Sequence, residues 1–374
     1  MDKVWTVNII TVFLLCVLVT GFLIPQILLI SFRCKLFDEV NERKIHKGVV
    51  PRLGGIAFMP AIVLSLAFIC GINSLFGYDA IFAALRENCL AVIFSLCAIL
   101  VLYLVGLADD LIGVRYRAKF FVQIACSLML IGGGLWINNF HGILGIEEVP
   151  WFVGMPLTIL VVVFVTNAIN LIDGIDGLAS GLCSIAMIIY GFAFIALGNY
   201  MYAAIAFATL GVLIPFYGFN VFGNAEKHQK IFMGDTGTLT IGLIISLLGL
   251  RMIYLEPQTE EVWHTNQLMI ALAPMLIPCY DVVRVYIGRV RAHKNPFLPD
   301  KTHIHHKMLA AGMTQRIAMV SIVSFSLVIS VALICLSKYI DINLLILLSI
   351  VIFWGCNQIL TSRIHKLKNK QNGK

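Results

Sequence analysis

The sequence predicts an all-α polytopic membrane protein, and three observations carry that prediction. Of its 374 residues 60% are hydrophobic and only 13% charged; mean hydropathy is +0.93; and eleven separate runs approach the ~20 apolar residues a helix needs to cross a bilayer. A soluble chain would carry about a quarter charged residues. Its interior could not hide so many apolar side chains. Soluble enzyme folds are excluded.

Taken in order, the first run, 5–30, lacks the charged start and small-residue cleavage site of a removable signal and continues to Ile30, so it is expected to stay as a span. Runs 54–76, 89–107 and 119–137 follow, the second ending just before Asp109-Asp110 and the third opening at Lys119. Runs 151–169, 178–197, 201–222 and 237–254 are separated by Gly, Asn or charge clusters, and 265–283, 317–337 and 342–360 complete the set. No loop is long enough for an extramembrane domain, so 1–374 reads as one integral-membrane domain with a basic cytoplasmic tail, 361–374.

An odd number of spans puts the termini on opposite sides. With the N-terminus outside, all but Lys3, Arg86, Arg251 and Lys338 of the 27 basic residues fall on one side, counting boundary Lys119. By the positive-inside rule that side is cytoplasmic. The opposite loops are short and acidic, as at Glu147, Glu148, Glu256, Glu260 and Glu261. The ten cysteines form no Cys-x-x-Cys pair and read as small core hydrophobes.

Five motifs on the expected cytoplasmic face carry more than a topology signal requires. Asp109 and Asp110 adjoin in GLADDLIG, where neighbouring carboxylates repel unless a cation or a shared proton relieves them. Asn167, Asn170, Asp173 and Asp176 lie within ten residues, with Gly174 among them and Gly177 directly after, an oxygen-rich set suited to a hard cation or sugar hydroxyls. Phe232-Met233-Gly234-Asp235-Thr236 precedes the eighth span, where helix-start N–H groups favour phosphate, though Asp235 equally suits an N-cap. Near His303, His305 and His306 basic residues suit phosphate better than zinc, whose recognised spacings are absent. Arg43 to Lys47, then Val50-Pro51-Arg52-Leu53-Gly54-Gly55, place bases and paired glycines at a helix entrance, again suiting phosphate. Soft ligands are missing from all five, so the implied ion is Mg²⁺ or Mn²⁺. The composite points to phosphoryl chemistry on a substrate that resides in the bilayer.

VPRLGG, GLADD, NAINLIDGIDGL, FMGDTGTL and HIHH, in this order and topology, resemble the signatures of the polyprenyl-phosphate N-acetylhexosamine-1-phosphate transferase superfamily, over nearly the whole chain. That resemblance implies transfer of a sugar 1-phosphate from a UDP-sugar to a polyprenyl phosphate at the bacterial inner membrane, with release of UMP, initiating a cell-envelope glycan. It implies Asp109 and Asp110 as the acidic pair beside metal and lipid phosphate, Asp235 as Mg²⁺ ligand, and Asn170 and Asp173 as metal or diphosphate neighbours. Asp176 and Phe232 would meet uridine. His303, His305 and His306 would bind diphosphate or sugar, helped by Lys47, Arg52 and Lys119. HIHH rather than three consecutive histidines favours UDP-GlcNAc. No nucleic acid is implied, and a homodimer stays open.

A lipid phosphate has a second pKa of about 6, so positioning and charge neutralisation are expected to supply most of the catalysis. Direct in-line attack on the β-phosphorus is preferred, with Asp109 as base or as nucleophile of a two-step route left open. Two other classes compete: a transporter, whose site should lie at the membrane midplane in repeated halves, and an intramembrane aspartyl protease pairing Asp235 with Asp110 or Asp281.

Overall fold

The computed structural model describes residues 3–36, 49–254, 266–295 and 302–372, and among these it is helical, with one isolated β-bridge between Asn139 and Glu148. The helices are α1 (Lys3–Arg33), α2 (Phe58–Leu75), α3 (Ala80–Glu87), α4 (Cys89–Ile112), α5 (Tyr116–Gly132), α6 (Trp151–Ile172) and α7 (Leu178–Ala196). There follow α8 (Tyr200–Tyr217), α9 (Gly234–Ile253), α10 (Gln267–Leu272), α11 (Leu276–Arg291), α12 (Ile304–Ala310), α13 (Gln315–Leu336) and α14 (Ile342–Asn372).

Among the described residues ten helical segments are long and apolar enough to cross a membrane, against the eleven expected. The difference is α5. Its expected run, 119–137, stops being helical at Gly132, because Gly132-Gly133-Gly134 follow and Gly134 takes a left-handed backbone, φ +85°, open to glycine at little cost. The run expected at 265–283 is interrupted by a 3₁₀ turn, Ala273–Met275, that contains Pro274, and continues as α11 to Arg291. The basic tail departs little from helix, since α14 runs on to Asn372. Lys307 on α12 holds that extension by donating to Asn357 Oδ1 at 2.6 Å and Thr361 Oγ1 at 2.9 Å.

Helix α9 is the buried axis of the bundle, packed between α4 and α6. Lipid supplies no hydrophobic drive between helices, so association depends on close backbone approach through small residues. Here Gly106 of α4 lies against the backbone of Thr236, and Gly242 of α9 lies against the Cα of Thr166 on α6. A Cβ at Gly106 would stand 2.7 Å from that Thr236 Cα. These contacts fix the depth and rotation of α9, and with them the position of Asp235 at its first turn.

The VPRLGG segment serves the same end. Gly54 N–H donates to Phe232 O and Gly55 N–H to Met233 O, each at 2.9 Å, while Phe232 N–H donates back to Pro51 O at 2.9 Å. The paired glycines, read from sequence as suited to phosphate, are instead the surface on which the head of α9 rests: a Cβ at Gly54 would meet the Phe216 ring at 2.6 Å, and one at Gly55 would collide with the Gly237 backbone.

Candidate active site at the head of α9

Three elements meet at the first turn of α9. The end of α4 brings Asp109 and Asp110, α5 brings Lys119, and the last turn of α6 brings Asn170. Lys119 Nζ lies 2.8 Å from Asp235 Oδ2 and 3.1 Å from Asp109 Oδ2. Asn170 Nδ2 donates to Asp235 Oδ1 at 3.1 Å and to Thr238 Oγ1 at 2.8 Å. Asp109 Oδ1 accepts from the Val114 amide at 2.6 Å. All three charged side chains are part-buried, so their charges are only partly screened by water.

The adjacent acids separate into two jobs. Asp110 caps α9, its Oδ1 accepting from Asp235 N–H and its Oδ2 from Thr236 N–H, both at 2.8 Å, and from the Thr236 hydroxyl. The helix-start donors read from sequence as a phosphate site are thus occupied by the protein's own carboxylate, and Asp235 is not the N-cap. The anion that the dipole favours is Asp110.

The loop 173–177 joins the histidines to this centre. His305 on α12 is buried, and its ring lies so close to Gly174 that any Cβ there would collide with Nε2. Among the described residues neither ring nitrogen of His305 has a hydrogen-bond partner. Burial, and then the neighbouring His306, lower its pKa to about 3, so the ring is neutral. The His305 ring stands 4.3 Å from that of His306 and 6.0 Å, nearly parallel, from that of His303. Asp173, next to Gly174, is pushed up to about 7 by desolvation within the surrounding protein, then by Asp176 and Asp235, against the opposing charge of Arg52. Its side chain is also exposed to solvent, and water moderates the shift.

Asp176 faces a second region. Its Oδ2 pairs with Lys230 Nζ, which stands 6.0 Å from the centroid of the half-buried Phe232 ring. A cleft of about 240 Å³ opens here, lined by Asp176, Lys230, Phe222 and Arg316 among others. Phe232 borders Lys230 but does not line the cleft. Arg52 is exposed, with its carbonyl beside Gly234. Lys47 lies outside the described residues.

Sequence reasoning missed Lys230, Thr236 and the pair Asp281 and Arg284 as parts of the site. Asp281 is wholly buried and was weighed only as a protease partner for Asp235. Its partners are instead His303, Arg284 and the Ile304 amide. A lone carboxylate in an apolar run, with Arg three residues on, is the signal that would have found it.

The donor chemistry fits a hard divalent cation. Among the described residues no three His, Cys, Asp or Glu side chains gather as a metal cage. Mg²⁺, however, takes few protein ligands and completes its shell with water and phosphate oxygens. Two carboxylates, Asp109 and Asp235, already converge on one positive charge, the Lys119 ammonium.

A family model for glycosyl transferase family 4 matches residues 92–253. The chain is similar to the probable undecaprenyl-phosphate N-acetylglucosaminyl 1-phosphate transferase of Bacillus subtilis (strain 168), 28% identical over 350 residues that cover 93% of this chain and 90% of that protein. It is similar to the undecaprenyl-phosphate alpha-N-acetylglucosaminyl 1-phosphate transferase of Escherichia coli (strain K12), 31% identical over 291 residues, 77% of this chain and 72% of the relative. The Yersinia pestis protein of the same name is 29% identical over 300 residues, 78% and 74% of the two chains.

Proposed function

The chain belongs to glycosyl transferase family 4, the polyprenyl-phosphate N-acetylhexosamine-1-phosphate transferases, and on that premise we propose that it takes GlcNAc 1-phosphate from UDP-GlcNAc and releases UMP. It is a multi-pass membrane transferase that moves a sugar 1-phosphate onto undecaprenyl phosphate, and the transporter alternative has no support among its relatives. In this reading α5 is an eleventh, shorter span, the N-terminus lies outside, and the site faces the cytoplasm of a bacterial inner membrane, with a second copy as partner compatible with it. The product would initiate a cell-envelope glycan.

The observation that carries the site assignment is the convergence of Asp109 and Asp235 on Lys119 Nζ, with Asn170 holding the other Asp235 oxygen. Asp235, with Asn170 beside it and Asp109 opposite, would hold Mg²⁺, which when bound neutralises diphosphate charge. Lys119 keeps the two carboxylates together and would offer its ammonium to a phosphate oxygen. Asp110 holds the first turn of α9, so that Asp235 keeps its place as charges rearrange. His303, His305 and His306 would meet the diphosphate or sugar, and Asp173 would lie between them and Asp235. Asp176, Lys230 and Phe232 would receive the uridine end.

Since much of the acceptor phosphate is already a dianion near neutral pH, its attack on the β-phosphorus needs alignment more than a base. Both Asp109 oxygens are engaged, one by the Val114 amide and one by Lys119. That engagement favours the one-step route over Asp109 as covalent nucleophile.

Purified protein given undecaprenyl phosphate, Mg²⁺ and a panel of UDP-sugars tests this reading. UDP-GlcNAc should yield UMP and a lipid-linked sugar diphosphate, and Asp235→Asn should lose at least about a hundredfold in turnover, some 2.7 kcal/mol of transition-state stabilisation. UMP release from no UDP-sugar would sink the donor assignment.

A further inference from the structure

Asp281 is wholly buried on α11 with every described partner a donor. Its Oδ1 accepts from Arg284 Nη2 at 2.6 Å, Arg284 Nε at 3.2 Å and the Ile304 amide at 3.0 Å, and its Oδ2 lies 2.8 Å from His303 Nδ1. Arg284 Nη2 also donates to Thr302 O at 2.6 Å. The network spans the gap between α11 and the histidine segment. It starts α12 and grips the first of its histidines.

Burying a carboxylate is costly, and a well-packed apolar residue would hold α12 to α11 with a smaller desolvation penalty. What the carboxylate gives that an apolar residue cannot is a fixed imidazole. A ring whose Nδ1–H is held by a carboxylate has one tautomer and one orientation, and only Nε2 remains to act. No protein group among the described residues engages His303 Nε2. The ring lies nearly parallel to His305, which touches Gly174 beside Asp173. His303 is therefore braced from behind and continuous with the site in front.

We propose that Asp281, clamped by Arg284, is a positioning residue for His303: it holds Nδ1 and leaves Nε2 as the ring atom that meets the substrate. The inference rests on the reading that the histidines contact the transferred sugar phosphate. Asp281 itself touches no substrate.

A double-mutant cycle on the full-length protein tests it, with undecaprenyl phosphate and UDP-GlcNAc as substrates. Partners that orient a ligating histidine typically cost about 10- to 100-fold when removed, so Asp281→Asn should lower kcat by that factor, with partial recovery in Asp281→Glu. In a His303→Gln background the same change should cost less than about twofold further, because the group it acts through is gone. Losses that multiply instead would mean that Asp281 only stabilises the bundle, and would overturn the proposal. If Asp281→Asn fails to fold, Arg284→Gln enters the same cycle with the same two outcomes. A second readout does not need transfer: in ¹⁵N-histidine-labelled protein, the resonances lost in His303→Gln should shift in Asp281→Asn or Arg284→Gln. Unmoved resonances would overturn the positioning role even in an active enzyme. A wild-type protein without transfer, but with shifted resonances, would instead count against the proposed function alone.

Discussion

Asp110 and Thr236 are joined twice, the Oδ2 of the carboxylate accepting from the Thr236 amide at 2.8 Å and from its hydroxyl. With Oδ1 on the Asp235 amide, the whole carboxylate is spent on the positive end of α9. Gly234 makes this fit possible: its φ is +70°, and a Cβ there would collide with the Arg52 carbonyl and stand 2.5 Å from Asp110 Oδ2. Asp110 therefore fixes the placement of Asp235.

The two adjacent acids should then fail differently. Asp110→Ala removes a helix cap, worth about 0.5–2 kcal/mol, and should lower the melting temperature in detergent together with turnover. Asp109→Ala should abolish turnover with a clearly smaller loss of melting temperature. A stable Asp110→Ala beside an unstable Asp109→Ala would reverse the assignment.

Much of this was legible in the sequence and some was not, for physical reasons. Ten of the eleven runs became helices long and apolar enough to span because apolar length is a local property. The run at 119–137 fell short because three successive glycines cost helix more than hydropathy registers. Asp109 was named from the adjacent acid pair, Asn170 from an oxygen-rich run and Asp235 as a metal ligand from the family resemblance, and the three do converge. The jobs of Asp110, Gly54 and Gly55 were not legible, since they depend on which helix comes close to α9, and motif spacing carries no such contact. Asp281 was weighed only as a protease partner for Asp235, because the histidine it holds lies 22 residues away across a loop.

The pH dependence of stability should carry a mark of His305. Burial holds its folded pKa near 3, whereas an unfolded histidine titrates near 6.5. Above pH 6.5 neither state is protonated there, and the folded state keeps its full advantage. As pH falls from 6.5 towards 3 the unfolded chain takes up a proton that the folded ring refuses, so stability falls, with a slope of at most about 1.4 kcal/mol per unit. Thermal inactivation followed between pH 7.5 and 5 should show this decline, and His305→Gln should flatten it. An equal slope in the variant would assign the dependence to other groups.

Gly174→Ala addresses the contact that ties the histidines to the acids. The added methyl would overlap the His305 ring, which must swing away or push the 173–177 loop outward. Overpacking of this kind costs about 1–3 kcal/mol, which corresponds to roughly five- to 150-fold in turnover if the ring contributes to the transition state. Pairing Gly174→Ala with His305→Gln should recover stability, because the smaller, flexible side chain can yield. Wild-type turnover in Gly174→Ala would show that the ring position is irrelevant to transfer.

The last prediction concerns the base end of the donor. The backbone of Phe232 is pinned on both sides, by Pro51 and by Gly54, so its ring is held in one place relative to Asp235 three residues on. Lys230 bridges that ring and Asp176, and both Lys230 and Asp176 line the cleft. The cleft itself is lined by a different aromatic, Phe222, which is 71% exposed. Either ring could offer a face to uracil, and stacking on one base is worth about 1–3 kcal/mol by alanine substitution. The reading that places uridine on Phe232 expects Phe232→Ala to raise the donor KM by roughly five- to a hundredfold, to weaken UMP inhibition in parallel, and to leave the lipid KM nearly unchanged. Phe222→Ala should then shift the donor KM by less than about threefold. A larger rise for Phe222→Ala would move the base into the cleft beside Asp176 and Arg316. A selective rise in the lipid KM for Phe232→Ala would place the acceptor, not the donor, at that ring.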